Sequence, residues 1–174
     1  MLGLTHIYHG MGKGKTTAAI GLCIRALGHG KKILFVQFMK ARESGELSIL
    51  RSFEGLKILR SKSFDKFSFQ MSEQEKQDCR LNNNALLQEV KNIIKEQCPD
   101  MLVMDEIIGT YDKNLIDQCA VLELIKKKPE KMELVMTGRN PHAELLELAD
   151  YVSEIVKVKH PFDQGVPART GVEQ

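Results

Sequence analysis

The residues best suited to chemistry lie close to Met1, between a short apolar segment and a predicted helix. Glycines alternate with other residues from 10 to 14, and Lys15 and Thr16 follow at once. Without side chains, such glycines let backbone N–H groups point inward, and the helix start adds about half a positive elementary charge. The Lys15 ammonium can contact phosphate oxygens, and the Thr16 hydroxyl can hold Mg²⁺. The segment therefore predicts a loop that binds the phosphates of a nucleoside triphosphate.

This loop departs from the usual spacing at its first position. A glycine is expected five residues before Gly14, but His9 stands there and Gly10 comes one residue later. The alternative is a glycine-rich hairpin that caps an ordinary helix. That alternative accounts for the glycines but not for the Lys-Thr-Thr run that begins at Lys15, so we favour the phosphate-binding loop.

A second candidate site follows an apolar run that ends in two carboxylates, Asp105 and Glu106. In proteins with a phosphate-binding loop, such a strand lies beside the first strand, and its terminal acid reaches the magnesium ion directly or through water. Hard oxygen ligands suit that ion. Taken alone, the same pattern is equally typical of an acidic cap on a strand end. Its combination with the glycine loop favours a metal ligand.

A third candidate is Arg139, which follows Thr137 and Gly138 at the end of another apolar run. In an open α/β sheet, ligands bind beyond the carboxyl ends of the strands, so Arg139 is placed to contact phosphate or substrate. The alternative is a solvent-facing arginine in a turn between a strand and a helix.

Composition narrows the class of protein. The chain has 174 residues and a formal net charge of +2, and it carries no basic stripe interleaved with aromatic residues, so we expect no nucleic-acid partner. No apolar run is long enough for a membrane span, and we see no signal peptide. The cysteines are scattered without a Cys-x-x-Cys pair, which favours reduced thiols and a cytoplasmic location.

Apolar runs alternate with helical patterns along the chain, which predicts an α/β fold with a mainly parallel sheet flanked by helices on both faces. Three helices have clear boundaries: one from Lys15 to about Leu27, one after a Ser72–Glu75 capping box, and one that Asn140 and Pro141 begin and that ends at Leu148. The predicted strands are Thr5–Tyr8, Lys32–Phe38, Leu56–Leu59, Met101–Asp105, Met132–Thr137 and Tyr151–Val158.

We expect a single domain over residues 1–174. Residues 60–71 are polar apart from a few large side chains and predict a long loop, whereas 159–174 contain two prolines and two glycines and predict an irregular tail. The tail region has the apolar residues Val158, Phe162, Val166 and Val172, so we expect it to pack on the domain.

With these sites in view, the chain resembles the bacterial phosphate-loop family of ATP:corrinoid adenosyltransferases over nearly its whole length. The family's loop also lacks the usual first glycine. The segments that carry the resemblance are 10–19, 25–32, 36–40, 105–107, 137–139 and 158–166, the last being Val-Lys-His-Pro-Phe-Asp-Gln-Gly-Val. That last segment is the most distinctive, since nucleotide hydrolases have no reason to carry it.

The resemblance implies a P-loop NTPase-like (RecA-like) fold and transfer of the 5′-deoxyadenosyl group of ATP to Co(I) of a corrinoid, with release of triphosphate. Cobalt is the nucleophile, so no catalytic side chain is assigned. Thr16 with Asp105 or Glu106 would hold Mg²⁺, and ATP would lie reversed so that its 5′ carbon faces the corrinoid. The residues expected to bind ATP are Gly10, Met11, Gly12, Lys13, Gly14, Lys15, Thr16, Thr17 and Arg139.

The family's aromatic pair corresponds to Phe67 and Phe69. We hypothesise that they form an apolar wall beneath the corrinoid ring; the alternative is that they fill a small core under the loop. The resemblance further implies a homodimer and a flavoprotein reductant. Two other functions stay open from the residues alone: an ATP hydrolase in which Glu106 positions water, and a nucleotide-gated binding module without chemistry.

Overall fold

One parallel sheet of six strands organises the protein. The computed structural model describes residues 2–39, 45–61 and 70–173. Within these, the strands follow the spatial order β3-β2-β4-β5-β1-β6, and every neighbouring pair is parallel. The elements in chain order are β1 Thr5–His9, α1 Lys15–Leu27, β2 Ile33–Gln37, α2 Gly45–Leu50, β3 Leu56–Arg60, α3 Glu73–Gln97, β4 Met101–Asp105, α4 Ile107–Asp112, α5 Gln118–Lys126, β5 Glu133–Gly138, α6 Ala143–Glu147 and β6 Tyr151–Glu154.

Helices cover both faces of the sheet, as the contacts of alternate residues in strand β2 show. Ile33 and Phe35 belong to a buried cluster that contains α1 and α2 residues, whereas Leu34 and Val36 belong to a second cluster with residues of α3 to α6. Successive side chains of a strand point to opposite faces, so a strand covered on both sides is apolar throughout. The predicted α/β fold with helices on both faces is therefore confirmed.

Several predicted boundaries are confirmed by local hydrogen bonds. Helix α1 spans the predicted residues, and β4 matches its predicted range. At the start of α3, Ser72 Oγ accepts a bond from Glu75 N at 3.2 Å, and Ser72 N donates to Glu75 Oε2 at 2.8 Å. This reciprocal capping box satisfies two donors that the helix itself leaves unpaired.

The predicted position of the acidic strand is wrong. We expected β4 to lie beside β1, but β5 pairs with both β1 and β4 and so separates them. Strands that are apolar on both faces have no side-chain pattern that specifies their neighbours. As a result, the carboxyl end of β5, and not that of β4, lies beside the end of β1, where the glycine loop begins.

Several element boundaries also differ from prediction, most of them by a single residue. Helix α6 begins at Ala143 with His142 at its N-cap, not at Asn140, because Asn140 takes a left-handed backbone with φ of 53°. Strand β6 ends at Glu154, four residues earlier than predicted, because strand β1, with which it pairs, ends at His9. The predicted loop at 60–71 is also shorter at its start, since β3 includes Arg60.

The region after β6 exposes several apolar side chains. Val158 is 92% exposed and Phe162 is 72% exposed, and Val166 and Val172 are also exposed. Pro161–Gln164 form a short 3-10 helix within otherwise irregular chain. The division into one domain with a tail stays a prediction. None of the helices in the described ranges is long and apolar enough to cross a membrane.

Candidate active site

The loop between β1 and α1 encloses the Lys15 ammonium. Lys15 is 7% exposed, and its Nζ donates to the carbonyl oxygens of Gly10 at 2.8 Å and Gly12 at 2.9 Å. Gly14 occupies the N-cap of α1 with φ of 120° and offers no side-chain acceptor to the first amides of that helix. The positive end of a 13-residue helix and a buried cation thus lie together, which favours a polyanion.

Two of the loop glycines are required by a close backbone approach. Gly12 N donates to Ile155 O at 2.7 Å, and Ile155 N donates to His9 O at 2.8 Å. A Cβ at either Gly10 or Gly12 would lie 2.6 Å from Ile155 O. From the sequence we expected these glycines to leave their amides open, but the Gly12 amide is already bonded to the segment that follows β6. The absence of side chains at Gly10 and Gly12 therefore lets the segment after β6 pack against the loop and hydrogen-bond to it.

Asp105 ends β4 and is fully buried. Its Oδ1 accepts hydrogen bonds from Thr16 Oγ1 at 2.9 Å and Thr137 Oγ1 at 2.7 Å, and its Oδ2 accepts a longer bond of 3.3 Å from Gln37 Nε2. The donors come from the first turn of α1 and from the ends of both neighbouring strands. These bonds fix the carboxylate beside the first turn of α1, where the glycine loop ends.

Glu106 lies next to this carboxylate at the N-cap of α4, in a left-handed conformation with φ of 61°. Its backbone N donates to Thr137 Oγ1 at 3.0 Å, and its carbonyl accepts from Thr110 Oγ1 at 2.8 Å. The Glu106 side chain is partly exposed, and a Cβ at Gly109 would lie 3.6 Å from Glu106 Oε2. The structure thus brings Thr16 and Asp105 into contact, and the partly exposed Glu106 follows Asp105 in the chain.

The donor set of this pair fits Mg²⁺. A hydroxyl and a carboxylate are hard oxygen ligands, and Mg²⁺ in nucleotide sites takes one or two carboxylates and completes its shell with water and substrate phosphates. Thr16 Oγ1 and Asp105 Oδ1 are 2.9 Å apart at the end of the loop that holds Lys15. Both oxygens can therefore reach one ion, directly or through water.

The other predicted site residues lie around this centre. Arg139 is exposed and follows Gly138, whose register partner on β1 is His9. Met11, Lys13 and Thr17 are exposed on the loop and on the first turn of α1, and Lys13 Nζ lies 3.8 Å from Glu173 Oε1 of the tail. Phe67 and Phe69 lie outside the described residues.

Sequence reasoning missed the roles of Gln37 and Thr137. Both contact Asp105, and Thr137 also anchors the Glu106 backbone. A usable signal was present for Gln37, which is the one polar residue in the strand sequence Ile-Leu-Phe-Val-Gln. A buried polar side chain in a strand that is covered on both faces needs a hydrogen-bonding partner, and here that partner is the acid on the next strand.

Comparison with known proteins identifies the family of this chain. A model of the family described as ATP:corrinoid adenosyltransferase BtuR/CobO/CobP matches residues 1–174. The chain is 34% identical over 172 residues to the corrinoid adenosyltransferase of Escherichia coli K12, covering 98% of this chain and 85% of that protein. Identity is also 34% to corrinoid adenosyltransferase CobA of Salmonella typhimurium LT2, with the same coverage, and 32% to the corrinoid adenosyltransferase of a Sinorhizobium species, with 98% and 80% covered. The full-length match shows that the chain belongs to the ATP:corrinoid adenosyltransferase family.

Proposed function

We propose that this protein transfers the 5′-deoxyadenosyl group of ATP to Co(I) of a corrinoid and releases inorganic triphosphate. The observation that carries the proposal is the contact between Thr16 and Asp105 beside the enclosed Lys15 ammonium. Together these residues provide a triphosphate with a cation, the positive end of a helix and a pair of metal ligands. The chain also matches the adenosyltransferase family over residues 1–174.

The phosphate loop would hold the triphosphate through charge and backbone donors. Lys15 supplies a charge-assisted hydrogen bond, and the first amides of α1 add the positive end of the helix. Lys13 and Arg139, both exposed at the rim, would approach the phosphates when ATP binds. The Gly12 amide, which is bonded to Ile155, would instead keep the loop in place.

Thr16 and Asp105 would hold the magnesium ion, with Glu106 close enough to act through water. When bound, Mg²⁺ offsets negative charge on the triphosphate. The chain's own part is to fix the carboxylate, since Thr137 and Gln37 both donate hydrogen bonds to Asp105. Metal ligands held by such surrounding bonds keep their orientation when the ion arrives.

Bond changes in this reaction involve the two substrates and leave no covalent role for the protein. The cobalt electron pair forms a bond to the 5′ carbon of the ribose as the bond from that carbon to oxygen breaks, and triphosphate leaves with the electron pair of the broken bond. The protein contributes by orienting the 5′ carbon and by stabilising the negative charge of the leaving group. Lys15 and the start of α1 are placed for the second task.

Phe67 and Phe69 remain our candidates for the apolar wall beneath the corrinoid. Such a wall would exclude water and the lower axial base and so ease the reduction of Co(II), because the shell around a metal tunes its redox behaviour. Phe69→Ala should lower turnover with Co(II) substrate and a mild reductant more than with pre-formed Co(I). Equal loss in both assays would argue against the axial-ligand role.

Product analysis tests the function directly. The protein is incubated without oxygen with ATP, Mg²⁺ and chemically reduced cobalamin, while the absorption spectrum is followed for a new cobalt–carbon bond and the phosphates are separated. We expect an adenosylated corrinoid and triphosphate. ADP with phosphate would support an ATP hydrolase, and tight ATP binding without any product would support a binding module.

Three further expectations stay predictions. The family resemblance implies assembly as a homodimer and reduction of the corrinoid by a flavoprotein, and the scattered cysteines favour a cytoplasmic location. Analytical ultracentrifugation tests the first of these, and a monomer at micromolar concentration would contradict it.

A further inference from the structure

Gln37 presents an unusual buried oxygen beside the candidate metal site. The residue is 1% exposed, and its Oε1 has no hydrogen-bond partner among the residues that the structure describes. Buried side-chain oxygens are nearly always paired, with protein or with ordered water, so an exception calls for a cause. The assignment of the amide is fixed by its neighbour, because the Asp105 carboxylate accepts hydrogen bonds and therefore faces Nε2.

The position of Gln37 is set by strand geometry. It ends β2 directly opposite Asp105 of β4 in the sheet register, and Phe38 N donates to Asp105 O at 2.9 Å. By the two-residue period of a strand, Gln37 shares a face with Phe35, which packs in the cluster of α1 residues Ala19 and Cys23. Gln37 therefore lies on the side of the sheet from which α1 delivers Thr16.

Two hydroxyls of this site, those of Thr16 and Thr137, are already engaged with Asp105. The hydroxyls of Thr16 and Thr137 both donate to Asp105 Oδ1, on the other side of the carboxylate from the bond that Gln37 makes to Oδ2. A water molecule bound to a metal ion could donate one of its O–H groups to Gln37 Oε1. Mg²⁺ in nucleotide sites usually keeps several bound waters, which are such donors.

We propose that Gln37 is a positioning residue of the divalent-metal site, with Nε2 holding Asp105 and Oε1 accepting a hydrogen bond from a water bound to the metal ion. The proposal rests on the proposed function, since it needs Mg·ATP at the loop. Residues that orient metal ligands in this way typically contribute 10–100-fold to metal affinity.

A matched pair of variants tests the proposal by calorimetry. Gln37→Met keeps the length of the side chain and removes both polar groups. Asn83→Leu does the same at a remote site. Asn83 is also buried with an Oδ1 that has no partner among the described residues, but it donates to Leu115 O and belongs to α3, which packs on the opposite face of the sheet. ATP binding is measured without corrinoid, once with Mg²⁺ and once with a chelator. The dissociation constant in chelator divided by the dissociation constant with Mg²⁺ gives the metal's contribution to ATP affinity.

We expect Gln37→Met to reduce this ratio by about 10–100-fold while ATP binding in chelator stays unchanged. Asn83→Leu should leave the ratio at the wild-type value. A wild-type ratio in Gln37→Met would overturn the inference and leave the proposed function standing. Failure of the wild-type protein to bind ATP under both conditions would instead refute the proposed function.

A second measurement does not depend on the folding of a variant. A crystal structure of the wild-type protein with Mg²⁺ and ATP should contain a water that contacts both the metal ion and Gln37 Oε1. A water on Oε1 that does not touch the ion, or a protein donor in its place, would show that the oxygen has only a structural partner and would contradict the proposal.

Discussion

Thr137 Oγ1 donates a 2.7 Å hydrogen bond to Asp105 Oδ1 and accepts a 3.0 Å bond from the backbone N of Glu106. One hydroxyl on β5 thus fixes both the carboxylate at the end of β4 and the turn into α4. The arrangement exists because β5 lies between β1 and β4 in the sheet. The Thr137 hydroxyl thus links Asp105 and Glu106 to β5, the strand that pairs with β1.

Thr137→Val should therefore damage the metal site with little change in side-chain volume. The variant leaves buried Asp105 without one of its donors, which should cost about 1–3 kcal/mol in free energy of unfolding. The increase in ATP affinity that Mg²⁺ produces should also become smaller, and calorimetry measures this change. Thr110→Val is the control, because its buried hydroxyl donates to a backbone carbonyl, that of Glu106, at 2.8 Å. If both variants lost metal enhancement equally, a specific role for Thr137 would be excluded.

Lys15→Met should weaken binding of Mg·ATP by about 10–100-fold, since a hydrogen bond to a charged group contributes about 1.5–3 kcal/mol. Lys13→Met should have a smaller effect. Its ammonium is exposed on the loop and lies 3.8 Å from Glu173, so solvent screens its charge. Titration of each variant with nucleotide provides the comparison, and a larger loss in Lys13→Met would reverse the roles assigned to these lysines.

Gly12→Ala should disrupt the loop through its contact with the segment after β6. The added Cβ would lie 2.6 Å from Ile155 O and 2.8 Å from Val156 O, both backbone atoms. Overpacking of this kind costs about 1–3 kcal/mol, and the loop should shift and lose ATP affinity.

Gly21→Ala is the matched control for this change, because it lies within α1 with open space around its Cβ position. Alanine there should stabilise the protein by about 0.5–1 kcal/mol. Thermal unfolding and ATP titration of the two variants should give opposite signs for stability. Wild-type binding by Gly12→Ala would mean that the loop does not depend on this approach.

Stability should fall with rising pH above pH 9 partly because of Cys23. Burial, supported by the nearby Asp105 charge, raises the pKa of its thiol from 9.0 to about 12. Between these values the unfolded chain loses a proton that the folded protein keeps, so the free energy of unfolding decreases as pH increases. The contribution is fully present below pH 9 and is lost through about pH 12.

Urea denaturation at intervals from pH 8 to 10.5 measures this slope. Cys23→Ala should show a shallower decrease than the wild-type protein, although its stability at pH 8 will be lower because of the cavity. The exposed Cys98 provides a control, since Cys98→Ala should retain the wild-type slope. Parallel slopes for wild type and Cys23→Ala would contradict the assignment.

Local features of the fold could be predicted because neighbouring residues specify them. The Ser72–Glu75 capping box fixed the start of α3, and Gly28 marked the end of α1. Asn140 and Pro141 misled the prediction for α6, since a left-handed Asn140 continues the turn after β5 and leaves His142 to begin the helix. Apolar composition also did not predict the exposure of Val158 and Phe162, because composition does not say whether a surface is available to cover them.

The amino-acid sequence by itself determined the phosphate loop, the acidic pair and the α/β class, because each depends on a short run of residues with a fixed backbone consequence. Only the tertiary structure decided that β5 separates β1 from β4, and that Thr137 and Gln37 complete the surroundings of Asp105. Strand order depends on how whole crossovers pack against both faces of the sheet. That packing is a property of long-range contacts between apolar surfaces, which no local pattern of residues encodes.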